Sequence, residues 1–306
     1  MPNALSNAAA MPVEAPERPS ALYRGNLWKF ALASARVLPF PLARAVARAA
    51  CQLYRLGAPA RRDVILQNLL PVFENDLSRA AAATNRLFTR FATKMVDLLR
   101  FEAGLPIESR FGELTNWEIF GRAHQRGGVL MITPHLGNWE IGSPILTKKG
   151  VKLFAVTQAE PGSDFTEMRR VARARWGVDT IVVGQDAFSF VEIIKRLQEG
   201  AAVAMLIDRP APQSSVEVEL FGRRFQASLA PAELARAAGC AIVGGIIVEE
   251  NGGYAARFLP EFEYDRRALG SREARREFTQ RIMRGFEPHI RRYADQWYHF
   301  IPVWPK

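Results

Sequence analysis

From residue 129 onward the chain alternates short apolar runs with helical segments, and this rhythm constrains its fold more than any other feature. Apolar runs at 129–133, 153–157, 180–183, 201–207, 216–220, 241–248 and 254–259 read as strands, and helical patterns at 139–149, 165–176, 187–199 and 231–238 fall between most of them. Strands alternating with helices imply βαβ units and a largely parallel sheet. The run at 216–220 alternates Val and Glu, as expected of an exposed or edge strand. Upstream, Leu87, Phe88, Phe91, Met95, Leu98 and Leu99 recur at helical spacing. The expected fold class is therefore α/β, with a largely parallel central sheet flanked by helices and an N-terminal helical segment that contacts the membrane. The expected organisation is a disordered Ala- and Pro-rich tail at 1–20, helices over 21–105, and an α/β core over 106–306 continuous with those helices. A chain of 306 residues is long enough to bury such a core without cross-links.

The charge is unevenly spread. Lys and Arg number 41 against 31 acidic residues, a net charge of +10. Such an excess attracts nucleic acid, anionic lipid or an acidic carrier protein. Residues 21–62 hold eight cations and no Asp or Glu, interleaved with Leu27, Trp28, Phe30, Leu38 and Phe40. Those cations exclude a membrane span, which needs about 20 mostly apolar residues. Glu14, Glu17 and Arg18, with no compact apolar run, argue against a signal peptide. Lys29, Arg36, Arg44, Arg48, Arg55 and Arg62 recur near one helix face, and Pro39 and Pro41 divide the run into two short helices. A basic amphipathic helix with Trp, Phe and Leu opposite is an interfacial membrane-binding pattern. The same pattern also describes a surface helix packed on the protein's own core. A second basic helix is expected at 266–292, with nine arginines against three glutamates. Cys51 and Cys240 are too few for a disulfide scaffold or a cysteine zinc cluster and are expected to be reduced in the cytosol.

The chain has no phosphate-binding loop, G-x-G-x-x-G, G-x-S-x-G or H-E-x-x-H pattern, which argues against nucleotide binding, dinucleotide oxidoreduction, serine hydrolysis and zinc proteolysis. One compact constellation remains, Thr133-Pro-His135-Leu-Gly-Asn138-Trp-Glu140, directly after the strand at 129–133. Sites of open α/β sheets gather at the carboxyl ends of strands. Glu140 follows His135 by five residues, about 140° round a regular helix, so the two meet only if His135 sits in a turn that folds back. Pro134 and Gly137 suit such a turn. A carboxylate on one imidazole nitrogen fixes the tautomer and strengthens the other nitrogen as a base; the same spacing also describes a structural pair.

The stretch from Gly128 through His135 to Glu140 resembles the H-x4-E signature of bacterial lipid A biosynthesis acyltransferases, the lauroyl/myristoyl transferases within the lysophospholipid acyltransferase superfamily. Val216-Glu-Val-Glu-Leu-Phe-Gly222, Ala235-Arg-Ala-Ala-Gly239, Arg173-Ala-Arg-Trp-Gly177, Asp208 and Gln296-Trp-Tyr298 resemble further segments of that family, over roughly residues 25–304. The resemblance implies transfer of a fatty acyl chain from an acyl thioester, on acyl carrier protein or coenzyme A, to a hydroxyl of a lipid A precursor or related glycolipid. His135 would be the general base and Glu140 its orienting carboxylate, with no covalent acyl-enzyme, cofactor or metal. Arg173 and Asp208 would bind substrate by resemblance alone, and Asn138 would either position substrate or support the turn. Ser143 and Ser228 are available hydroxyls that nothing marks as nucleophiles. The implied location is peripheral, on an anionic membrane surface at the cytoplasmic face of the bacterial inner membrane, with no nucleic-acid partner.

The chain also departs from the family. Arg209 and Pro210 stand where a second acid usually follows, and His299-Phe-Ile-Pro-Val-Trp304 replaces a usual basic pair. The hydrophobic anchor is weakened into the basic stretch. These departures leave open another lipid acceptor, a lysophospholipid or aminolipid. A non-catalytic lipid- or nucleic-acid-binding protein is the reading from a different class. His124, His289 and His299 carry no partner pattern and are expected at the surface or in packing.

Overall fold

A computed structural model describes residues 25–159, 163–184 and 188–305; the expected tail at 1–20 lies outside them. Four helices come first: α1 (Gly25–Val37), α2 (Phe40–Gly57), α3 (Pro59–Leu69) and α4 (Leu77–Glu102). Pro39 ends the first of them: it has no N–H to donate to the helix, it disfavours helical backbone at Leu38, and its own ψ of 138° is extended. Asp76 starts α4 by accepting a hydrogen bond from the Arg79 amide at 2.9 Å, which satisfies one free N–H of the first turn.

The alternating part follows as β1 (Phe111–Thr115), α5 (Trp117–Gln125), β2 (Val129–Thr133), α6 (Ser143–Thr147), β3 (Leu153–Gln158), α7 (Ser163–Ala174), β4 (Val178–Val183), α8 (Phe188–Gln198), β5 (Ala202–Leu206), β6 (Ser215–Leu220), β7 (Arg223–Ser228), α9 (Ala230–Ala238), β8 (Ala241–Glu250), β9 (Gly253–Glu261) and α10 (Arg272–Arg292). Seven strands form one sheet in the order β1-β9-β8-β2-β5-β3-β4. The five strands from β8 to β4 are parallel, while β9 joins β8 antiparallel and β1 lies parallel to β9. The strand β2 sits in the middle, with Val129, Leu130 and Ile132 buried between helix layers. The α/β fold with a mainly parallel sheet is thus as the rhythm of the sequence predicts.

Three local features differ. The Val/Glu strand is not on the main sheet: β6 pairs antiparallel with β7 as a separate hairpin. Its alternation is nevertheless amphipathic, with Val216, Val218 and Leu220 buried and Glu217 and Glu219 exposed. The helix expected over 139–149 shrinks to a 3-10 turn (Trp139–Gly142) and the five residues of α6. The edge strand β1, only Phe-Gly-Glu-Leu-Thr, is too polar for an apolar-run criterion.

The N-terminal helices also correct the membrane-contact pattern. Trp28, expected to insert, is buried against Phe165 and donates its indole N–H to Glu102 at 2.8 Å. Several cations also bond to the protein, although Arg36 and Arg48 stay exposed. Arg44 pairs with Glu249, Arg48 donates to Thr93, Arg55 to Gln52, Arg61 to the Phe300 carbonyl and Arg36 to the Ala103 carbonyl. Phe40 lies beneath the guanidiniums of Arg44, Arg100 and Arg110. The exposed side carries Phe30, Val37, Leu42, Val46, Leu53 and Leu56 beside Lys29, Arg36 and Arg48, and Leu42, Val46, Leu53 and Leu56 recur every three to seven residues along one face of α2. No helix among the described residues is long and apolar enough to cross a membrane.

Candidate active site

The register of β2 and β5 creates the site. They are adjacent and parallel, with Thr133 opposite Leu206. His135 and Asp208 each lie two residues beyond that last pair, so the two side chains emerge together at the carboxyl end of the sheet. The His135 Nδ1 lies 2.6 Å from Asp208 Oδ1, and the His135 amide donates to Asp208 Oδ2 at 2.9 Å. The same Oδ2 accepts the indole N–H of Trp297 at 2.9 Å and meets Nε2 of His299 at 2.7 Å. Burial opposes the charge on Asp208, but the imidazoles of His135 and His299 hold its carboxyl well below the usual range.

The loop carrying His135 is held from two sides. Gly137 has φ +67°, and a Cβ there would lie 1.9 Å from the Ile247 carbonyl oxygen, so only glycine fits. Its amide donates to the Gln296 carbonyl, and the Asn138 amide donates to the Ile247 carbonyl, both at 2.8 Å. The Tyr298 amide donates to the His135 carbonyl at 2.9 Å. The imidazole is therefore fixed in position, with Nδ1 on Asp208 and its edge against Trp139, centroids 5.0 Å apart. His135 Nε2 has no hydrogen-bond partner among the described residues, and the side chain keeps 14% exposure. Burial, against the pull of Asp208, holds its basicity below the ordinary histidine value, so it is neutral and able to accept a proton at neutral pH.

Glu140, expected to orient His135, instead meets two arginines of α7. Arg173 binds it through both Nη2 (2.7 Å) and Nε (3.1 Å), and Arg169 Nη2 adds a third contact at 2.7 Å. Burial opposes ionisation of Glu140, but Arg173 and Arg169 hold its carboxyl far below the usual range. The two acids thus divide the work: Asp208 takes the imidazole, and Glu140 ties the turn after His135 to α7. Further ties fasten the end of α7 to α4. Arg175 donates to the Glu102 carbonyl, Trp176 donates to the Phe101 carbonyl, and its ring stacks on Phe101 at 4.9 Å.

Asn138 is fully buried and faces the protein. Its amide donates to Tyr254 Oη at 3.2 Å and to the Lys94 carbonyl at 3.4 Å, bridging the loop to β9 and α4. Arg173 is likewise buried on Glu140.

His299 was not singled out by its sequence context, yet it is 1% exposed and part of the centre. Arg209 Nε donates to its Nδ1 at 3.2 Å. Nδ1 must therefore carry the lone pair, and Nε2–H donates to Asp208: His299 is neutral. Burial pushes it down to about 4, in agreement with that tautomer. Arg209 also donates to the Tyr298 carbonyl at 2.9 Å. The two departures noted in the sequence, Arg209 and the segment from His299, touch each other; their coincidence near Asp208 was the available signal.

His135, Asp208 and His299 offer three metal-ligating atoms within 4.8 Å of one another, the one such set among the described residues. The carboxylate is already occupied by four donors, and the Arg209 guanidinium adjoins His299. The trio fits a hydrogen-bonded relay better than a cation site.

The profile of the bacterial lipid A biosynthesis acyltransferases matches residues 21–306. A phosphatidylinositol mannoside acyltransferase of Mycolicibacterium smegmatis is 25% identical over 181 residues, covering 58% of this chain and 57% of that protein. One of Mycobacterium tuberculosis (strain CDC 1551 / Oshkosh) is 22% identical over 179 residues, covering 58% and 54%. The match thus spans little more than half the length of these relatives. The chain belongs to the bacterial lipid A biosynthesis acyltransferase family.

Proposed function

We propose that this chain transfers a fatty acyl group from a thioester, on acyl carrier protein or coenzyme A, to a hydroxyl of a membrane glycolipid. The His135–Asp208 pair beyond two adjacent strands carries the reading. The acceptor hydroxyl donates to His135 Nε2, and its oxygen attacks the thioester carbonyl as Nε2 takes the proton. Asp208 stabilises the resulting imidazolium and keeps Nδ1 protonated throughout. The tetrahedral intermediate expels sulfur, which receives the proton from Nε2. Glu140 holds α7 against the site from the other side. A lipid A precursor and a phosphatidylinositol mannoside are both phosphorylated sugar lipids, and the family and its relatives put these two acceptors first. A lysophospholipid or aminolipid is the alternative acceptor.

His135→Ala tests the reading. Turnover should fall by about 10²–10⁴-fold, the usual share of a general base, with a melting curve as control because the substitution also removes one donor from the buried Asp208. Transfer from acyl carrier protein and coenzyme A thioesters to each lipid, followed by mass spectrometry, reads both turnover and acceptor. Activity within threefold of wild type would sink the assignment.

An enzyme for a lipid acceptor must also reach the bilayer. In this reading the exposed face of α1 and α2 lies in the interface, at the cytoplasmic surface of the inner membrane. Arg44, Arg55 and Arg61 are half-buried on partners within the protein, whereas Lys29, Arg36 and Arg48 stay exposed; insertion of the apolar side chains therefore supplies most of the binding, and the exposed cations add a smaller, salt-sensitive part. Each fully inserted large apolar side chain contributes about 1.5–3 kcal/mol. The pair Leu42→Ser and Leu53→Ser should weaken co-sedimentation with vesicles at least tenfold, and raising the salt should weaken it far less. Binding abolished by salt but indifferent to both substitutions would show that the cations hold the membrane.

A further inference from the structure

A buried lysine stands beside the His135 loop that the proton transfers do not use. Lys94 lies on α4 among Ala92, Thr93 and Val96 and is 6% exposed. Its Nζ is 3.3 Å from the centroid of the Trp139 ring and 4.6 Å from that of Tyr298. The same Trp139 ring packs on His135, and Tyr298 holds the His135 carbonyl through its amide. The ammonium, carried by α4, is thus one aromatic ring away from the base, and the Lys94 carbonyl accepts the side-chain amide of Asn138 from the His135 loop.

Two rings are poor company for an ammonium. A buried cation needs hydrogen-bond acceptors, and aromatic faces replace only part of them. Among the described residues Nζ has no hydrogen-bond acceptor and no ion-pair partner. The nearby charges are committed elsewhere: Glu140 to Arg169 and Arg173, and Asp208 to His135, His299 and Trp297. The arginines are committed too, Arg169 to Glu140 and Arg209 to His299 and the Tyr298 carbonyl. An oxygen that acquires negative charge beside His135 is the acceptor this lysine lacks.

We propose that Lys94 stabilises the oxyanion formed when the acceptor oxygen attacks the acyl thioester, making it a third catalytic residue of the site. This rests on the acyl-transfer reading. As the new C–O bond forms, the acceptor O–H bond breaks toward His135 Nε2 and the carbonyl π pair moves onto oxygen. The Lys94 ammonium donates to that oxygen. When the pair returns, the C–S bond breaks and the proton on Nε2 passes to sulfur, leaving Lys94 as it began.

The arrangement predicts a particular pH dependence. Glu140 from the 3-10 turn, Arg169 from α7, Asp208 and Arg209 beyond β5, His135 from the loop and Tyr298 from the C-terminal segment face the ammonium. Burial, against the pull of Glu140, pushes Lys94 well below the ordinary lysine value. Transfer requires His135 neutral and Lys94 protonated, so its rate rises with pH as His135 loses its proton and falls as Lys94 does.

The experiment compares wild type, Lys94→Met and Lys94→Arg as full chains, with lauroyl-acyl carrier protein as donor and a lipid A precursor or phosphatidylinositol mannoside in mixed micelles as acceptor. Loss of one oxyanion donor costs roughly 10²–10³ in kcat. Lys94→Met should show that loss with KM for the donor within threefold, with its fold confirmed by circular dichroism and melting temperature. Lys94→Arg should recover at least tenfold of it, and its falling limb should move to higher pH. Lys94→Met activity within threefold of wild type would overturn the proposal. So would a rise in KM with kcat unchanged, which would assign Lys94 to a ground-state anion such as a substrate phosphate. Equal losses in both variants with an unshifted pH profile would reduce Lys94 to packing. No transfer by the wild-type chain to any lipid acceptor would remove the acyl-transfer reading and this inference with it.

Discussion

Asp208→Asn is expected to lower turnover by about 10⁴-fold while leaving the fold in place, the size of effect seen when a base loses its orienting carboxylate. The hydrogen bonds dictate how. Three donors converge on Oδ2: the His135 amide, the Trp297 indole and His299 Nε2. An asparagine keeps an oxygen for them and so places its NH2 group where Oδ1 faced His135 Nδ1. Two donors cannot face each other, so the imidazole moves its proton to Nε2. The nitrogen that should accept the hydroxyl proton then already carries one. Loss of the carboxylate also withdraws the charge that supports the imidazolium. Stopped-time acyl transfer at saturating donor measures the effect, with a melting curve as control. A variant within tenfold of wild type would show that Asp208 does not set the His135 tautomer.

Glu140→Gln is expected to act mainly on stability. It removes the negative charge shared by two buried guanidiniums and sets an amide donor against Arg169 or Arg173. Breaking such a pair from one side typically costs about 3–5 kcal/mol. Arg169 retains Glu102 at 3.6 Å, which places the expectation near the lower end, about 3 kcal/mol. Removing the cation as well, in Glu140→Gln with Arg173→Met, should recover part of that loss, because an apolar replacement of a buried pair is often neutral. Denaturant unfolding of the two single variants and the double variant measures the coupling. Turnover should fall far less than in Asp208→Asn. If Glu140→Gln melts like the wild type yet loses as much turnover as Asp208→Asn, Glu140 acts on the chemistry and not through α7.

The contrast between these acids shows where sequence reasoning stops. Glu140 sits five residues from His135, and a turn that folds back is sterically possible between them. Asp208 is 73 residues away, and only the pairing of β2 with β5 brings it near. Both arrangements are compatible with the local sequence. The strand order decides between them, and strand order depends on long-range packing that no local periodicity records.

The basic N-terminal stretch makes the same point. Its amphipathic period and its break at Pro39 are local properties, and the structure has two helices there. Which face looks outward is not local. The sequence alone pairs eight cations with a membrane surface, whereas Glu249, Thr93 and the carbonyls of Ala103 and Phe300 bond four of them, Arg44, Arg48, Arg36 and Arg61, from within the fold. Trp28 is claimed in the same way by Glu102 and Phe165.

The sequence by itself determined the alternation of strands and helices, the parallel sheet that follows from it, and the turn after β2 that presents His135. These are readable because burial on one face imposes a period of 2 on half-buried strands, continuous apolar runs on central ones, and 3.6 on helices, and because Pro134 and Gly137 are turn-forming residues. The tertiary structure alone decided that Asp208 holds the imidazole, that Glu140 belongs to Arg169 and Arg173, and that His299 and Lys94 stand beside the base. Those side chains come from five separate elements of the fold. A charged residue in a helix or loop carries no mark of its eventual partner, because the partner is chosen by which elements pack together and by the cost of burying a charge without one.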